Sequence, residues 1–316
     1  MLNRRHLRVK VLQVLYAFFQ SANDNLESGE KELLFNINKT YELYLHQLLL
    51  LRELGFIAEK FIDERKYNQL SSKNTLQSEQ KFTDNLLLKL LLQSKTLDKV
   101  CKEFNVSWAG EHDLVRKIFF HIRKTDFYRS YISSGDNSFE EDKKFLLKIY
   151  QACVCEFELL HNFYEEKSIY WIDDWELVFK MTIKTLNNLK EDDHDINLMN
   201  LYKDSEDKEF ARQLFNKTIL NHQFFDPMIS EKTKNWDIER IAIVDIILMK
   251  MALTELLKFP EIPVKVTLNE YIELSKMYSS QKSKVFINGV LDKLVIDLEK
   301  ENKIKKTGKG LISKSY

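Results

Sequence analysis

The chain has 316 residues, 44% of them apolar, with only 7 glycines and 3 prolines; this composition points to helices joined by short turns and argues against a turn-rich β fold. Its 48 basic and 48 acidic residues cancel, which excludes a global field that would draw the protein to nucleic acid and leaves only a local patch for such a role. The three cysteines, Cys101, Cys153 and Cys155, make no zinc spacing, and a sparse, odd set suits a reducing cytosol.

Residues 3–20, NRRHLRVKVLQVLYAFFQ, read as a helix with Asn3 as its cap. At about 100° per residue Leu7, Val11, Val14 and Phe18 share one face with Leu15 at its edge, while Val9, Gln13 and Tyr16 fall opposite. Arg4, Arg5, His6 and Arg8 crowd the first turns, where cations oppose the helix dipole and no acid stands among them. The cluster is either a solvated charged terminus or a site for an outside anion. No continuous apolar stretch follows it, so the segment is not a secretory leader.

Residues 21–29 read as a turn. An amphipathic pattern from Glu30 to Arg65 fits one or two helices, with Gly55 as a kink point, and the serine-rich stretch 66–81 reads as a loop. Helical patterns follow from Phe82 to Leu97, Asp113 to Tyr131 and Glu140 to Tyr164; Trp171 and Trp175 anchor the next segment, whose helix reaches about Leu189. The charge run Glu191–Asp195 (EDDHD) lacks convergent ligands around His194 and reads as a solvated loop, not a metal site. Asp207 to Phe224 is helical again.

The run Ile241 to Leu257 is apolar nearly all round, the mark of a buried central helix. It is shorter than 20 residues and carries Asp245, Lys250 and Glu255, so it is no membrane span. Asp237 is its expected cap, and Arg240 the expected ion-pair partner of Asp245. Pro260 and Pro263 end it, with Pro263 opening the next helix. The last helix, from about Gln281 to Glu299, holds Gly289 in its interior, a cost of about 1 kcal/mol against alanine that implies close approach of another helix. The tail beyond Leu298 is rich in lysine and reads as disordered.

The string IP-VKVTLNEYIELSKMYSSQKSKVFINGVLDKL, with Asn269-Glu270, Glu273-Leu274 and Phe286-Ile287-Asn288-Gly289-Val290-Leu291 in order, resembles the C-terminal half of the NusB family of bacterial transcription antitermination factors. The opening segment is similar as well: Arg4, Arg5 and Arg8, then Gln13, Leu15 and Tyr16, match the family's arginine-rich start, with His6 where a further arginine is common. The resemblance covers about residues 3–20 and 205–300. It implies an all-α fold of two packed helical bundles of NusB type, the N-terminal one enlarged by a large helical insertion at about 25–200. The expected divisions are an N-terminal subdomain 1–204, a C-terminal subdomain 205–300 and a basic tail 301–316.

The resemblance also implies a function: binding of boxA-type single-stranded RNA together with NusE, a small-subunit ribosomal protein, and loading of the pair on the RNA polymerase elongation complex to support ribosomal RNA transcription in the cytoplasm. The RNA-binding residues would be Arg4, Arg5, His6, Arg8, Gln13 and Tyr16; guanidinium groups neutralise phosphate, and an exposed tyrosine stacks on an unpaired base. Tyr16 reads equally as an ordinary surface tyrosine. Lys282 departs from the family, where an acid is frequent, and with Lys284 would supplement the basic edge; Val285 stands where a lysine is common. Phe286, Asn288 and Gly289 would be structural.

No glycine-rich phosphate loop, HExxH, CxxC or nucleophile elbow occurs. NusB-like domains are also fused to RNA cytosine methyltransferases, but that would need a dinucleotide-type βα alternation this chain lacks. No cofactor and no catalytic residue is therefore expected. The alternative is a helical protein-interaction scaffold dominated by the insertion, with RNA contact incidental or lost.

Overall fold

The computed structural model describes residues 2–21, 24–67, 73–233 and 241–314. Regular structure among them is helical: fifteen α-helices, a π segment and short 3-10 turns, with one isolated β-bridge between Leu2 and Tyr202. The fold is all-α. Helix α1 (Arg4–Gln20) is started by Asn3, whose side chain accepts from the His6 backbone N–H at 3.0 Å. His6 Nδ1 in turn accepts from the Asn3 backbone N–H at 3.4 Å. This is a capping box in which histidine fills the place usually held by glutamate or glutamine. The expected core face is buried; so are Val9 and Lys10, which narrows the outward stripe. Helix α2 (Leu26–Tyr67) begins inside the segment read as a turn and runs unbroken past Gly55.

The described residues fall into two compact units. One, here the terminal unit, is Met1–Ile37 with Tyr202–Tyr316; the other, the inner unit, is Asn38–Leu201. The packing thus divides the chain differently from the expected boundary at 204. The reason is α1: its apolar face is buried against the C-terminal helices, so the opening segment groups with them.

The inner unit holds the rest of α2 with α3 (Lys73–Asp84), α4 (Leu86–Gln93), α5 (Lys95–Glu103), α6 (His112–Arg123), α7 (Asp126–Ser133), α8 (Phe139–Ile149), α9 (Glu158–Lys167) and α10 (Trp175–Asn188). The serine-rich stretch read as a loop contributes α3, with 68–72 outside the described residues. The pattern 140–164 is not one helix: a π segment, Tyr150–Val154, separates α8 from α9. Asp195, in the run read as a solvated loop, accepts from the Thr96 backbone N–H at 3.0 Å and its hydroxyl at 2.7 Å, fastening the start of α5.

The terminal unit is completed by α11 (Ser205–Leu220), α12 (His222–Lys232), α13 (Ile243–Lys258), α14 (Val264–Tyr278) and α15 (Gln281–Lys300). Helix α13 is buried from Ile247 to Leu256 on every side, as an all-apolar periphery requires. Asp237 and Arg240, the expected cap and ion-pair partner, lie outside the described residues; Asp245, in the first turn of α13, accepts from the Ser279 hydroxyl. Where a disordered tail was expected, Lys306 Nζ donates to the Phe259 carbonyl at 2.9 Å and the Glu255 carbonyl at 3.2 Å, and Thr307 N–H to the Pro260 carbonyl at 2.9 Å. These bonds satisfy carbonyls that the end of α13 leaves open.

Two glycines reverse the sequence expectation. Among the described residues a Cβ on Gly289 would meet nothing within 4 Å, and no close helix approach is seen there. Close approach occurs at Gly29, where a Cβ would lie 2.7 Å from the Phe215 ring and 2.9 Å from the Phe18 ring, and these two rings already pack edge to face. Gly289→Ala should therefore stabilise the protein by about 0.5–1 kcal/mol through helix propensity. Gly29→Ala should destabilise it by about 1–3 kcal/mol through overpacking. Thermal unfolding midpoints that shift in opposite directions verify the pair.

Candidate nucleic-acid interface

Helix α1 carries the residues expected to bind RNA, and its pitch sorts them. Arg4 and Arg8 turn toward α11, α13 and α14, whereas Arg5, His6, Gln13 and Tyr16 lie along the outer side.

The inward arginines are neutralised by carboxylates far away in sequence. Arg8 makes a two-pronged pair with Glu255 of α13, both bonds 2.8 Å, and the side chains are 3% and 0% exposed. Glu255 also accepts from Thr267 Oγ1 at 2.9 Å and Tyr271 OH at 3.3 Å, both on α14. Burial works against the Arg8 charge, but the attraction and hydrogen bonds of Glu255 outweigh it, and the guanidinium is held still more firmly protonated than usual. The same burial, reinforced by the Glu255 charge, pushes the Tyr271 phenol well above its ordinary value. Arg8 is therefore packed in the core, and its charge is met there by Glu255.

Arg4 pairs with Asp207 of α11 at 3.3 Å and lies 5.0 Å over the Phe210 ring. Arg5 forks onto Glu270 of α14 at 2.7 and 2.9 Å, with 45% of its side chain exposed. These hydrogen bonds hold the Glu270 carboxyl below its usual value against the effect of partial burial, with help from the charges of Arg8 and Arg5. The sequence left a solvated terminus or an outside anion for these three arginines; the carboxylates that meet them in the fold are internal. Glu255 was the sequence signal, since a carboxylate inside an all-apolar helix requires a cationic partner.

Tyr16 is 41% exposed. Gln13 is half-buried and accepts from Asn36 Nδ2 at 3.5 Å. At the start of α15, Lys284 is half-buried and Lys282 is exposed, with no ion pair among the described residues. Glu273 of α14 pairs with Lys276, which holds its carboxyl below its usual value, with smaller contributions from the charges of Arg5 and Lys284. Phe286 is buried, and Asn288 Nδ2 donates to Asp292 at 3.0 Å. Among the described residues no three His, Cys, Asp or Glu side chains gather as metal ligands, and no helix is long and apolar enough to cross a membrane.

The NusB family pattern matches residues 175–295, from α10 into α15. The transcription antitermination protein NusB of Salinibacter ruber is 44% identical over 112 residues, 35% of this chain and 70% of that protein. The chain belongs to the NusB family. The family is one of non-enzymatic transcription antitermination factors. The NusB of Chloroherpeton thalassium is 38% identical over 105 residues, covering 33% of this chain and 50% of its own. That of Geotalea daltonii is 43% identical over 89 residues, 28% of this chain and 61% of its own. No solved structure matches the chain. Helix α1 lies outside the NusB match at 175–295, as does most of the inner unit.

Arg8→Ala or Glu255→Ala should each destabilise the protein by about 3–5 kcal/mol, because each strands a buried charge. The double replacement should cost less than the sum; a urea-unfolding double-mutant cycle measures the coupling. Glu270 adds a pH dependence. Its folded pKa is depressed, so its contribution is present above the unfolded value of about 4.3 and is lost as pH falls through the lower folded value. With Arg5 partly solvated, that contribution is below about 1 kcal/mol. Stability measured from pH 6 down to pH 3 should fall less steeply in Glu270→Gln.

Proposed function

We propose that this protein binds boxA-type single-stranded RNA along the outer side of α1, acts together with NusE, and joins the RNA polymerase elongation complex to support ribosomal RNA transcription in the cytoplasm. The observation that carries the reading is the exposure of Arg5 and Tyr16 on the same side of α1, with the half-buried Gln13 beside them, in a member of an antitermination family. Arg5 is available because an exposed ion pair is worth about 1 kcal/mol or less, so a phosphate can replace Glu270. The Tyr16 ring is placed to stack on a base. His6 lies between them, and Lys284, with Lys282 beyond it, extends the positive edge past Glu273. Arg4 is half-exposed and secondary. Arg8 supports the helix and touches no RNA. Few cations remain after internal pairing, which makes RNA binding by the protein alone weak and gives NusE its place as a second source of contacts.

Fluorescence anisotropy with labelled boxA RNA, with and without NusE, tests this. Tyr16→Ala should weaken binding by about 1–3 kcal/mol. Arg5→Ala should weaken it and reduce the salt slope by about 0.7. If both variants, properly folded, bind RNA as the parent does, the RNA reading fails and the chain is better understood as a helical interaction scaffold.

A further inference from the structure

The inner unit carries a cationic face on which, unlike α1, three basic side chains have no ion-pair partner among the described residues. On α6 the buried side is Val115, Ile118, Phe119 and Ile122. The solvent side carries Arg116, Lys117, His121 and Lys124 around the half-buried Phe120, with Asp113 as its acid. Among the described residues Arg116, Lys117 and Lys124 make no ion pair, whereas Arg123, at the edge of this face, pairs with Glu79. The Arg116 guanidinium lies 5.5 Å from the Phe120 ring centre. Beside it, the His121 and Phe157 rings are 5.5 Å apart.

These groups line a hollow of 540 Å³ that includes Asp113, Phe157 and the 45%-exposed Leu159. A second hollow of 290 Å³, which shares Asp113, Arg116 and Phe120, continues toward α2, where Phe56 is also 45% exposed. The second hollow is closer to charge balance, with Glu53, Glu64 and Asp113 against Lys60 and Arg116. The first is positive.

We propose that the α6 face is a second docking site for single-stranded RNA, separate from the α1 stripe. Cations interleaved with aromatic rings match a strand whose phosphates and bases alternate, since the cations take the backbone and the rings take base faces. An acidic peptide would use the cations and leave the rings idle. From Arg116 to Lys124 the helix rises about 12 Å, a reach of about three nucleotides. Binding there is sequence-tolerant, because the rings offer stacking and no pattern of base-edge donors and acceptors. The site does not depend on boxA recognition by α1.

The test uses the full chain and a fluorescein-labelled oligouridylate of about 12 nucleotides, which contains no boxA sequence. Three proteins are compared at low salt: the parent, the triple variant Arg116→Gln/Lys117→Gln/Lys124→Gln, and the α1 variant Arg5→Ala/Tyr16→Ala. The triple variant should lose affinity roughly tenfold and lower the salt slope by about 2, from the loss of three phosphate contacts. The α1 variant should bind within about twofold of the parent. The substituted side chains are exposed, so circular dichroism should report unchanged helix content. Equal oligouridylate binding by parent and triple variant overturns the proposal. So does a polyglutamate peptide that binds the parent more tightly than oligouridylate and loses that binding in the triple variant, which would assign the face to acidic protein. Failure of boxA binding alone leaves this result untouched, because the probe and the altered residues are different.

Discussion

The terminal unit depends on the buried pair between Arg8 and Glu255. Removing two charges from water costs several kcal/mol per ion, which good geometry and full hydrogen bonding must offset. Here Glu255 accepts two bonds from Arg8 and one each from Thr267 and Tyr271, close to the full capacity of a carboxylate. Such an arrangement tolerates little displacement, so α1, α13 and α14 are held in one register. The apolar faces of these helices would accept several packings; the pair accepts one. The other two arginines of α1 grade outward from this point, Arg4 at 34% and Arg5 at 45% side-chain exposure, and with exposure their carboxylate partners become exchangeable.

Much of the fold was legible because helix periodicity is local. Helices α13, α14 and α15 follow from spacing, prolines and the Ser280 cap, and α1 from Asn3 and its apolar stripe. What could not be read was set by distance along the chain. The partners of Arg4, Arg5 and Arg8 lie 203, 265 and 247 residues away, and no pattern within α1 announces them. The glycines failed for the same reason: whether a Cβ is tolerated depends on what stands opposite, which for Gly29 is Phe215 and for Gly289 is open space. The serine-rich stretch became α3 because its charges find partners elsewhere, Glu79 with Arg65 and Arg123 and Lys81 with Glu141. Tertiary context there overrides a weak local preference. The basic tail was misjudged by composition, since one lysine, Lys306, finds two backbone carbonyls.

The two cationic helices differ in what surrounds them. Arginines on α1 are packed against acids from three other helices, so their number overstates the positive field they present. On α6 and the following Lys124, Arg123 is paired with Glu79, whereas Arg116, Lys117 and Lys124 make no ion pair among the described residues. Counting basic residues along a chain therefore locates charge without locating potential. The relatives named match this chain over about a third of its length, and most of the inner unit lies outside the family match at 175–295.

The terminal unit is discontinuous, built from Met1–Ile37 and Tyr202–Tyr316, whereas the inner unit is the unbroken stretch Asn38–Leu201. Vectorial synthesis treats the two differently. The inner unit has all its parts as soon as residue 201 clears the ribosome. Helix α1, with Arg8 already in place, must wait for Glu255, and at about 5–20 residues per second that wait is on the order of ten to fifty seconds. During that interval Arg8 lacks its native carboxylate, although α11, which carries Asp207 and Phe215, is made before Glu255. Lys306 and Thr307, which close the end of α13, emerge later still. Biogenesis of this protein thus runs from the middle outward, with the earliest-made helix among the last to be housed.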